Sequence, residues 1–400
     1  MSTREKTDVL IVGGGIAGLV AAAAFGRAGF ETVLVDPAQP ITDDADPSAD
    51  LRSTAFLRPA RDLFEHIGIW GALKDWATPL EALRIIDTVG NPPEPRDQRL
   101  FRGEDLDYSP FGWNFLNWKI RAALLEAIQD MPRISLRYGT GFKSLLTRTN
   151  GAIVGLSDGA RIEAKLVIGA DGRASPLREA AGITVQTTQY GQKALAFTAT
   201  HDAPHDNIST EIYHQGGPFT MVPLPDLEGR AASAIVWMNK GPRAQTLLTM
   251  DEVAFNAEMA ARSCDLFGEI KLASRRAAFP IITQRARTLT AERTALIAEA
   301  AHVLPPIGAQ GLNTSLNDIA ALLSAAEADP AHIGSAAMLE IYEKARLNDI
   351  KARARAIDLF NRVTRAPQAP LQALRLAGLK AVHDIAPLRR RLMRAGMEPL

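Results

Sequence analysis

Short apolar runs punctuated by glycine set the pattern of the first third of the chain. Asp8-Val-Leu-Ile-Val12 is apolar without alternation, as in a strand covered on both faces, and the alanine-rich stretch Leu19 to Ala28 that follows it reads as a helix. Thr32-Val-Leu-Val35 predicts a second short strand that ends at Asp36, and Pro37 to Asp50 is a polar loop. A helix is expected from Pro59 to Ile67, closed by Gly68, and a strand from Leu83 to Thr88. Gly90 to Pro110, rich in proline and charge, reads as an excursion rather than core. Trp118 to Met131 is an amphipathic helix with Ile120, Leu124, Leu125 and Ile128 on one face. Strands follow at Ile134 to Tyr138, Ala152 to Leu156 and, after a turn at Asp158-Gly159, Leu166 to Ile168.

From Ile183 to Pro280 the pattern changes to short, partly alternating segments between Gly, Pro and Asp turns. Ala194 to Thr198, Glu211 to Tyr213, Phe219 to Val222 and Ala232 to Trp237 predict an antiparallel sheet, one wall of a cleft, with a helix after it from Asp251 to Phe267. Thr294 to Ile297 returns as a strand, a helix runs from about Ser315 through Leu323, and the chain is helical by period from Met338 on. The whole predicts an α/β (α+β) fold.

Three stretches carry candidate chemistry. Gly13-x-Gly15-x-x-Gly18 lies between the first strand and its helix: Gly13 for the tight turn, Gly15 for close approach of a pyrophosphate, Gly18 for helix–strand packing. Asp36 then sits where a carboxylate meets an adenosine ribose. Arg52, where the loop returns to order, can grip a pyrophosphate or remain a solvated side chain, and Arg121 lies near the start of its helix. The second stretch is Gly169-Ala-Asp171-Gly172-Arg-Ala-Ser175-Pro176, an acid at the end of a buried strand with Ser-Pro to start a helix. The third is Ala298-Glu-Ala-Ala-His302-Val-Leu-Pro-Pro306-Ile-Gly308-Ala309-Gln310-Gly311-Leu312-Asn313, in which glycines admit a flat ligand and a helix N-terminus faces it. His302 invites an acid–base role, but a local hydrogen bond is the expected one.

Composition narrows the classes. Four hundred residues suggest two connected domains, and 45 basic against 45 acidic residues provide no field for nucleic acid. The single cysteine, Cys264, excludes an intramolecular disulfide and fits a reducing compartment, and no metal-ligand spacing occurs. The first residues lack the layout of a signal peptide and no apolar run reaches the ~20 residues of a membrane span, so a cytoplasmic protein is expected. The C-terminal part is basic: Lys351, Arg353, Arg355, Arg362, Arg365, Arg375, Lys380, Arg389, Arg390, Arg391 and Arg394, interleaved with Leu371, Leu374, Leu376, Leu379, Val382 and Ile385. Peripheral contact with the inner membrane and a helical cap packed on the body are both open readings.

Taken together, the three stretches resemble the class A flavoprotein aromatic hydroxylases, and within them the ubiquinone-biosynthesis hydroxylases that act on polyprenyl phenols. Arg52-Ser-Thr-Ala and Gly217-Pro-Phe-Thr-Met-Val-Pro-Leu add to the resemblance, which spans nearly the whole chain. It implies one FAD: Gly13, Gly14, Gly15, Ile16, Ala17, Gly18 and Asp36 on the ADP half, Arg52 and Arg121 near the pyrophosphate, and Asp171, Gly172 and Glu299 near the phosphates and ribityl chain. Gly308 to Asn313 would lie along the isoalloxazine, with Pro306, Gly308 and Gln310 in the loop facing it. The implied organisation resembles p-hydroxybenzoate hydroxylase: an FAD-binding Rossmann-like domain in three parts (1–80, 111–182 and 286–335), an antiparallel-sheet substrate domain (183–285, with the excursion 81–110) and basic helices (336–400).

The implied activity is hydroxylation of a polyprenyl phenol by a C4a-hydroperoxyflavin, with NAD(P)H and O₂ as co-substrates and room for a ubiquinone-biosynthesis protein complex. The chain departs from the family at two places, with Ala298-Glu299 where Gly-Asp is usual and Ser315 where a smaller residue is usual, so an adjusted FAD site is expected. Two other readings keep the fold: a flavin-dependent hydroxylase or oxidoreductase of a soluble aromatic, and a non-catalytic isoprenoid-lipid-binding protein. Trp113-Asn-Phe-Leu-Asn-Trp118 does not have the spacing of a flavin halogenase.

Overall fold

Glu5–Val12 is the axis of a parallel sheet in the computed structural model, which describes residues 5–364 and 369–398. Val9, Leu10 and Ile11 are fully buried, which accounts for the unbroken apolar run, since neighbouring elements cover both faces. Thr32–Asp36 pairs with this strand on one side and Arg161–Gly169 on the other, both in parallel. Ile134–Tyr138 and Thr294–Leu296 extend the two flanks, also in parallel. Strand order therefore reverses beside Glu5–Val12, and in open sheets of this kind the carboxyl ends of the strands at such a point are where a ligand crevice is expected. Helix Ile16–Arg27 covers one face with Ala21, Ala22, Ala23 and Ala24 completely buried, small enough to fit beneath helices Asn117–Ile128 and Gln310–Ala328.

The second sheet is almost wholly antiparallel. Its order is His302–Val303, Ala277–Ala286, Val185–His201, Arg230–Lys240, Gly217–Leu227, Ile208–His214, Ala82–Val89, Glu94–Arg102. Its outer face is closed: Leu195, Phe197, Ile212, Phe219, Met221, Ile235 and Trp237 pack on Ala244, Leu247, Phe255 and Met259 of helices Gly241–Thr249 and Glu252–Arg262. On the inner face, Tyr190, Ala194, Met238 and Ile281 meet Leu304 and Ile307 of the third sequence motif and Ala354 and Ile357 of helix Ala336–Thr364.

Two expectations need correction here. Within Gly90 to Pro110, Glu94–Arg102 is an edge strand paired with Ala82–Val89; an edge strand needs few apolar positions, so proline and charge hid it. The helix expected from Asp251 to Phe267 stops at Arg262, because Cys264 and Asp265 take left-handed conformations (φ 56° and 52°).

The basic C-terminus forms helices Ala336–Thr364, Ala369–Asp384 and Ala386–Met397, and its charges divide between two environments. Arg353 and Arg375 are buried, Arg375 against Asp87 of the second sheet, and Arg389 reaches Asp105 at 2.8 Å. Arg355, Lys380, Arg390, Arg391 and Arg394 stay exposed beside Leu374, Ile385 and Leu392. Arg365 and the side chain of Leu371 lie outside the described residues. The inner side of these helices is thus a cap on the body, and the outer side remains basic and partly apolar. Among the described residues, no helix is long and apolar enough to cross a membrane.

Candidate active site

The three motifs meet at the carboxyl ends of the parallel strands. Gly13 takes φ +112°, and a Cβ there would stand 2.3 Å from the carbonyl oxygen of Ala170, so the first and second motifs touch. A Cβ on Gly18 would stand 1.9 Å from the carbonyl oxygen of Gly13. Gly15 differs, with nothing within 4 Å of its Cβ position. Two glycines therefore build the turn, while the third keeps a space open in front of Ile16 and Ala17 at the start of the helix. Gly14 N–H donates to Asp36 Oδ2 at 2.6 Å and Ala38 N–H to Oδ1 at 2.8 Å, which fixes the carboxylate and leaves it lone pairs for a hydroxyl donor.

Tyr138 lies directly across from Asp36 in the sheet register. Burial, then the Asp36 charge, pushes its phenol up to about 12, and Arg121 pulls the other way. Tyr138 Oη and Arg121 Nε are buried and have no partner among the described residues. Orphaned polar atoms beside the ribose acid mark a place where a polar ligand is needed. Sequence reasoning missed Tyr138; its position at the end of the third parallel strand was the available signal.

In the second motif, Asp171 accepts from Ser175 Oγ at 2.5 Å and Leu177 N–H at 3.0 Å, so its carboxylate also organises the short helix Pro176–Ala180. Burial raises its pKa, with those two bonds opposing. Gly172 is left-handed (φ +80°). The buried Arg178 guanidinium donates to Ala300 O and Arg173 O, each at 3.0 Å, and ties this motif to the third.

Arg52 is not free. Its Nε and Nη2 each lie 2.7 Å from the Asp50 carboxylate, and its guanidinium stands 4.5 Å over the Phe279 ring. Burial lowers its pKa, but Asp50 and then Glu299 more than offset this, so Glu299 of the third motif is also a neighbour. The helix expected from Ser315 begins at Gln310, after Gly308 and Ala309 in left-handed conformations (φ 61° and 56°). Gly311 and Asn313 thus lie in its first turn.

The side chain of Gln310 is turned away from the loop face: Nε2 donates to Gly308 O (2.9 Å) and Gly396 O (2.7 Å), and Oε1 accepts from Arg353 (2.6 Å). Asn313 is similarly occupied, accepting from Leu57 N–H at 2.9 Å and donating to Ala55 O and Ala309 O at 2.7 Å. Pro306, Gly308 and Gly311 are exposed and Leu312 is half-buried, so backbone rather than these side chains faces the crevice.

His302 has the local role expected of it. It is buried, 2.7 Å from Asp318 Oδ2, in a chain that continues through Arg346, Asp349 and Arg353 to Gln310. Ala298 N–H also donates to Asp318 (3.1 Å), with Ala298 at φ +55°. A left-handed alanine costs about 1–2 kcal/mol, of which glycine's greater freedom in the unfolded chain takes back about half. Ala298→Gly is therefore expected to stabilise the fold by about 0.5–1 kcal/mol, read as a higher urea midpoint; an unchanged or lower midpoint contradicts it.

Residues 6–356 match the family described as FAD binding domain. The chain is 31% identical over 402 residues to the ubiquinone hydroxylase UbiL of Rhodospirillum rubrum, across 100% of this chain and 91% of that protein. The chain belongs to the FAD-dependent ubiquinone-biosynthesis hydroxylases. It is therefore a flavoprotein monooxygenase with FAD as cofactor. The 3-demethoxyubiquinol 3-hydroxylase of Escherichia coli is 27% identical over 98% of each chain. The crystal structure of p-nitrophenol 4-monooxygenase PnpA from Pseudomonas putida has the same fold, with a TM-score of 0.80 at 17% identity, covering 99% of this chain and 100% of that one.

Proposed function

We propose that this hydroxylase acts on the aromatic ring of a polyprenyl phenol in ubiquinone biosynthesis. The observation that carries the reading is similarity, over nearly the whole chain, to proteins named as ubiquinone hydroxylases and as a 3-demethoxyubiquinol 3-hydroxylase. When bound, FAD accepts two electrons from NAD(P)H and activates O₂ for insertion into the ring. The protein's task is then to hold the cofactor, exclude water and keep the ring in line.

The crevice fits FAD on two structural grounds: the open space at Gly15 and the unpartnered atoms of Tyr138 and Arg121 beside Asp36. In this reading Gly13, Gly14, Gly15, Ile16, Ala17 and Gly18 border the pyrophosphate, Asp36 accepts from the ribose, and Arg121 and Tyr138 complete the ADP side. Arg52, Asp171, Gly172 and Glu299 border the phosphates and ribityl chain, and the backbone from Gly308 through Leu312 lies along the flavin. Gln310 and Asn313 hold that backbone from behind. The FAD-binding part comprises 1–80, 111–182 and 286–335, the substrate part 81–110 and 183–285, and the basic helices 336–400; membership of strands in the two large sheets supports this division except at His302–Val303, which joins the second sheet. The exposed side of the last two helices is proposed to touch an anionic membrane, where polyprenyl phenols reside, on the strength of Lys380, Arg390, Arg391, Leu374 and Leu392.

The test is NAD(P)H oxidation by the purified yellow protein with a polyprenyl phenol supplied in anionic or neutral vesicles. Hydroxylated product, formed faster on anionic vesicles, is the expected result. Product at equal rates removes the membrane contact. No product, together with normal ubiquinone in a deletion strain, turns the reading toward a soluble aromatic substrate.

A further inference from the structure

The inner face of the second sheet carries two buried carboxyls that FAD binding does not use: Asp87, which is paired with Arg96 and Arg375, and Glu211. Glu211 pairs across the sheet with Thr220, Thr220 with Val236, and Val236 with Ala196, so the four form one row on one face. On one side of that row, Ala194 and Met238 pack on Leu304 and Ile307 of the loop assigned to the flavin. On the other side, Leu224 and Ala234 pack on Leu116. Between these two apolar clusters, Thr220, Val222 and Val236 remain partly accessible, whereas Phe219, Met221, Ile235 and Trp237 on the opposite face are buried. The inner face therefore opens onto a space between the sheet and the flavin loop, with Glu211 at its edge.

Within that row Glu211 has a single hydrogen bond, from Tyr213 Oη to Oε2. Among the described residues nothing donates to its other oxygen, although a carboxylate has about four acceptor sites. Among the described residues no cation pairs with it. Arg375 of helix Ala369–Asp384, whose charge acts on Tyr213, is itself paired with Asp87, which also binds Arg96. His214, three residues beyond Glu211, is lowered to about 4 by burial and by Arg262 and Arg375, so it is neutral near pH 7. The Phe360 ring closes the far side of Tyr213.

We propose that Glu211 is the catalytic base that takes the phenolic proton from an aromatic ring seated on Thr220, Val222 and Val236. The O–H bond of the phenol breaks, the proton bonds to the free oxygen of Glu211, and the electron pair stays on the phenol oxygen, where it enriches the ring toward the incoming oxygen. When the hydroxylated ring loses its ring proton to water and regains aromaticity, Glu211 returns its proton to the product oxygen. Burial raises the pKa of Glu211 and the Tyr213 bond opposes that rise, which makes the carboxylate a stronger base than an exposed one. The step rests on the function proposed above, since it needs a phenolic substrate.

The experiment uses the FAD-loaded protein with 4-nitrophenol as a probe whose phenolate is coloured, alongside turnover of a polyprenyl phenol. At mildly acidic pH the unmodified protein is expected to bind the probe as phenolate, and Glu211→Gln to bind it as neutral phenol. Turnover by Glu211→Gln falls at least about 100-fold in kcat, with KM changed less than about threefold, and loses its acidic limb. Equal phenolate in both proteins, or none in the unmodified one, overturns the assignment. If Glu211→Gln does not fold, Tyr213→Phe decides: loss of its hydrogen bond moves the acidic limb to higher pH, and a stationary limb overturns the assignment. Phenolate formation without turnover of any polyprenyl phenol rejects the proposed function but leaves Glu211 as the base.

Discussion

Gly15→Val is expected to give a folded protein that no longer retains FAD. Gly15 has φ −71° and ψ 176°, an extended conformation that valine adopts readily, and nothing lies within 4 Å of the new side chain's first carbon. The fold therefore pays no steric or backbone penalty. The same open space is the one the pyrophosphate must enter to reach the N–H groups at the start of helix Ile16–Arg27, and three carbons there block it. FAD affinity should fall at least about 100-fold, or about 2.8 kcal/mol. Flavin absorbance after purification and calorimetric titration with FAD measure the loss, and circular dichroism checks the fold. Gly18→Ala is the contrasting variant: its methyl would meet the Gly13 carbonyl, so fold and flavin should fail together. A Gly15→Val protein that stays yellow would remove the pyrophosphate from this turn.

That contrast shows what a sequence can carry. A glycine turn between an apolar strand and a helix is local, so its backbone demands could be read residue by residue. The antiparallel segments from Ile183 to Pro280 were legible because one closed face imposes alternation on Phe219-Thr-Met221 and Ile235-Val-Trp237. What escaped depends on neighbours far along the chain. Tyr138 matters only because the register brings it opposite Asp36. Gln310 and Asn313 read as ligand-facing within their motif, yet Arg353, Gly396, Ala55 and Leu57 draw both side chains away. Glu211 looked like one polar position in a strand until its row was placed between two apolar clusters. Arg353 and Arg375 could not be told from surface charge because Asp349 and Asp87, which neutralise them, belong to a helix turn and a distant strand.

Asp318→Asn should destabilise the protein by about 3–5 kcal/mol, because it breaks a buried ion pair from one side only. Asp318 is wholly buried and accepts three bonds: from Arg346 Nε at 2.9 Å on Oδ1, and from His302 Nε2 at 2.7 Å and Ala298 N–H at 3.1 Å on Oδ2. An asparagine can keep the Arg346 bond through its oxygen, but its NH₂ then faces the Ala298 N–H, which it cannot satisfy, and meets His302 only if the ring proton moves from Nε2 to Nδ1. Turning the amide over rescues those two and leaves Arg346 facing an NH₂ instead. Arg346 retains Asp349, so the network loosens rather than dissolves, and the loosening reaches Ala298-Glu299 and Gln310 at the two ends of the flavin loop. FAD should therefore also dissociate more readily, a second readout apart from the urea midpoint. The pH dependence has a definite sign. Burial pushes the Asp318 carboxyl upward, but His302 and Arg346 bring it below its ordinary value of 3.8. A carboxylate with a depressed folded-state pKa stabilises the protein fully above the unfolded value and loses that contribution as pH falls through the folded one. The unmodified protein should thus lose stability steeply below about pH 4, while Asp318→Asn, already lacking the charge, should show a shallower fall across the same window. A midpoint within about 1 kcal/mol of the unmodified protein at neutral pH would mean that the buried chain from His302 to Gln310 does not hold the flavin loop in place.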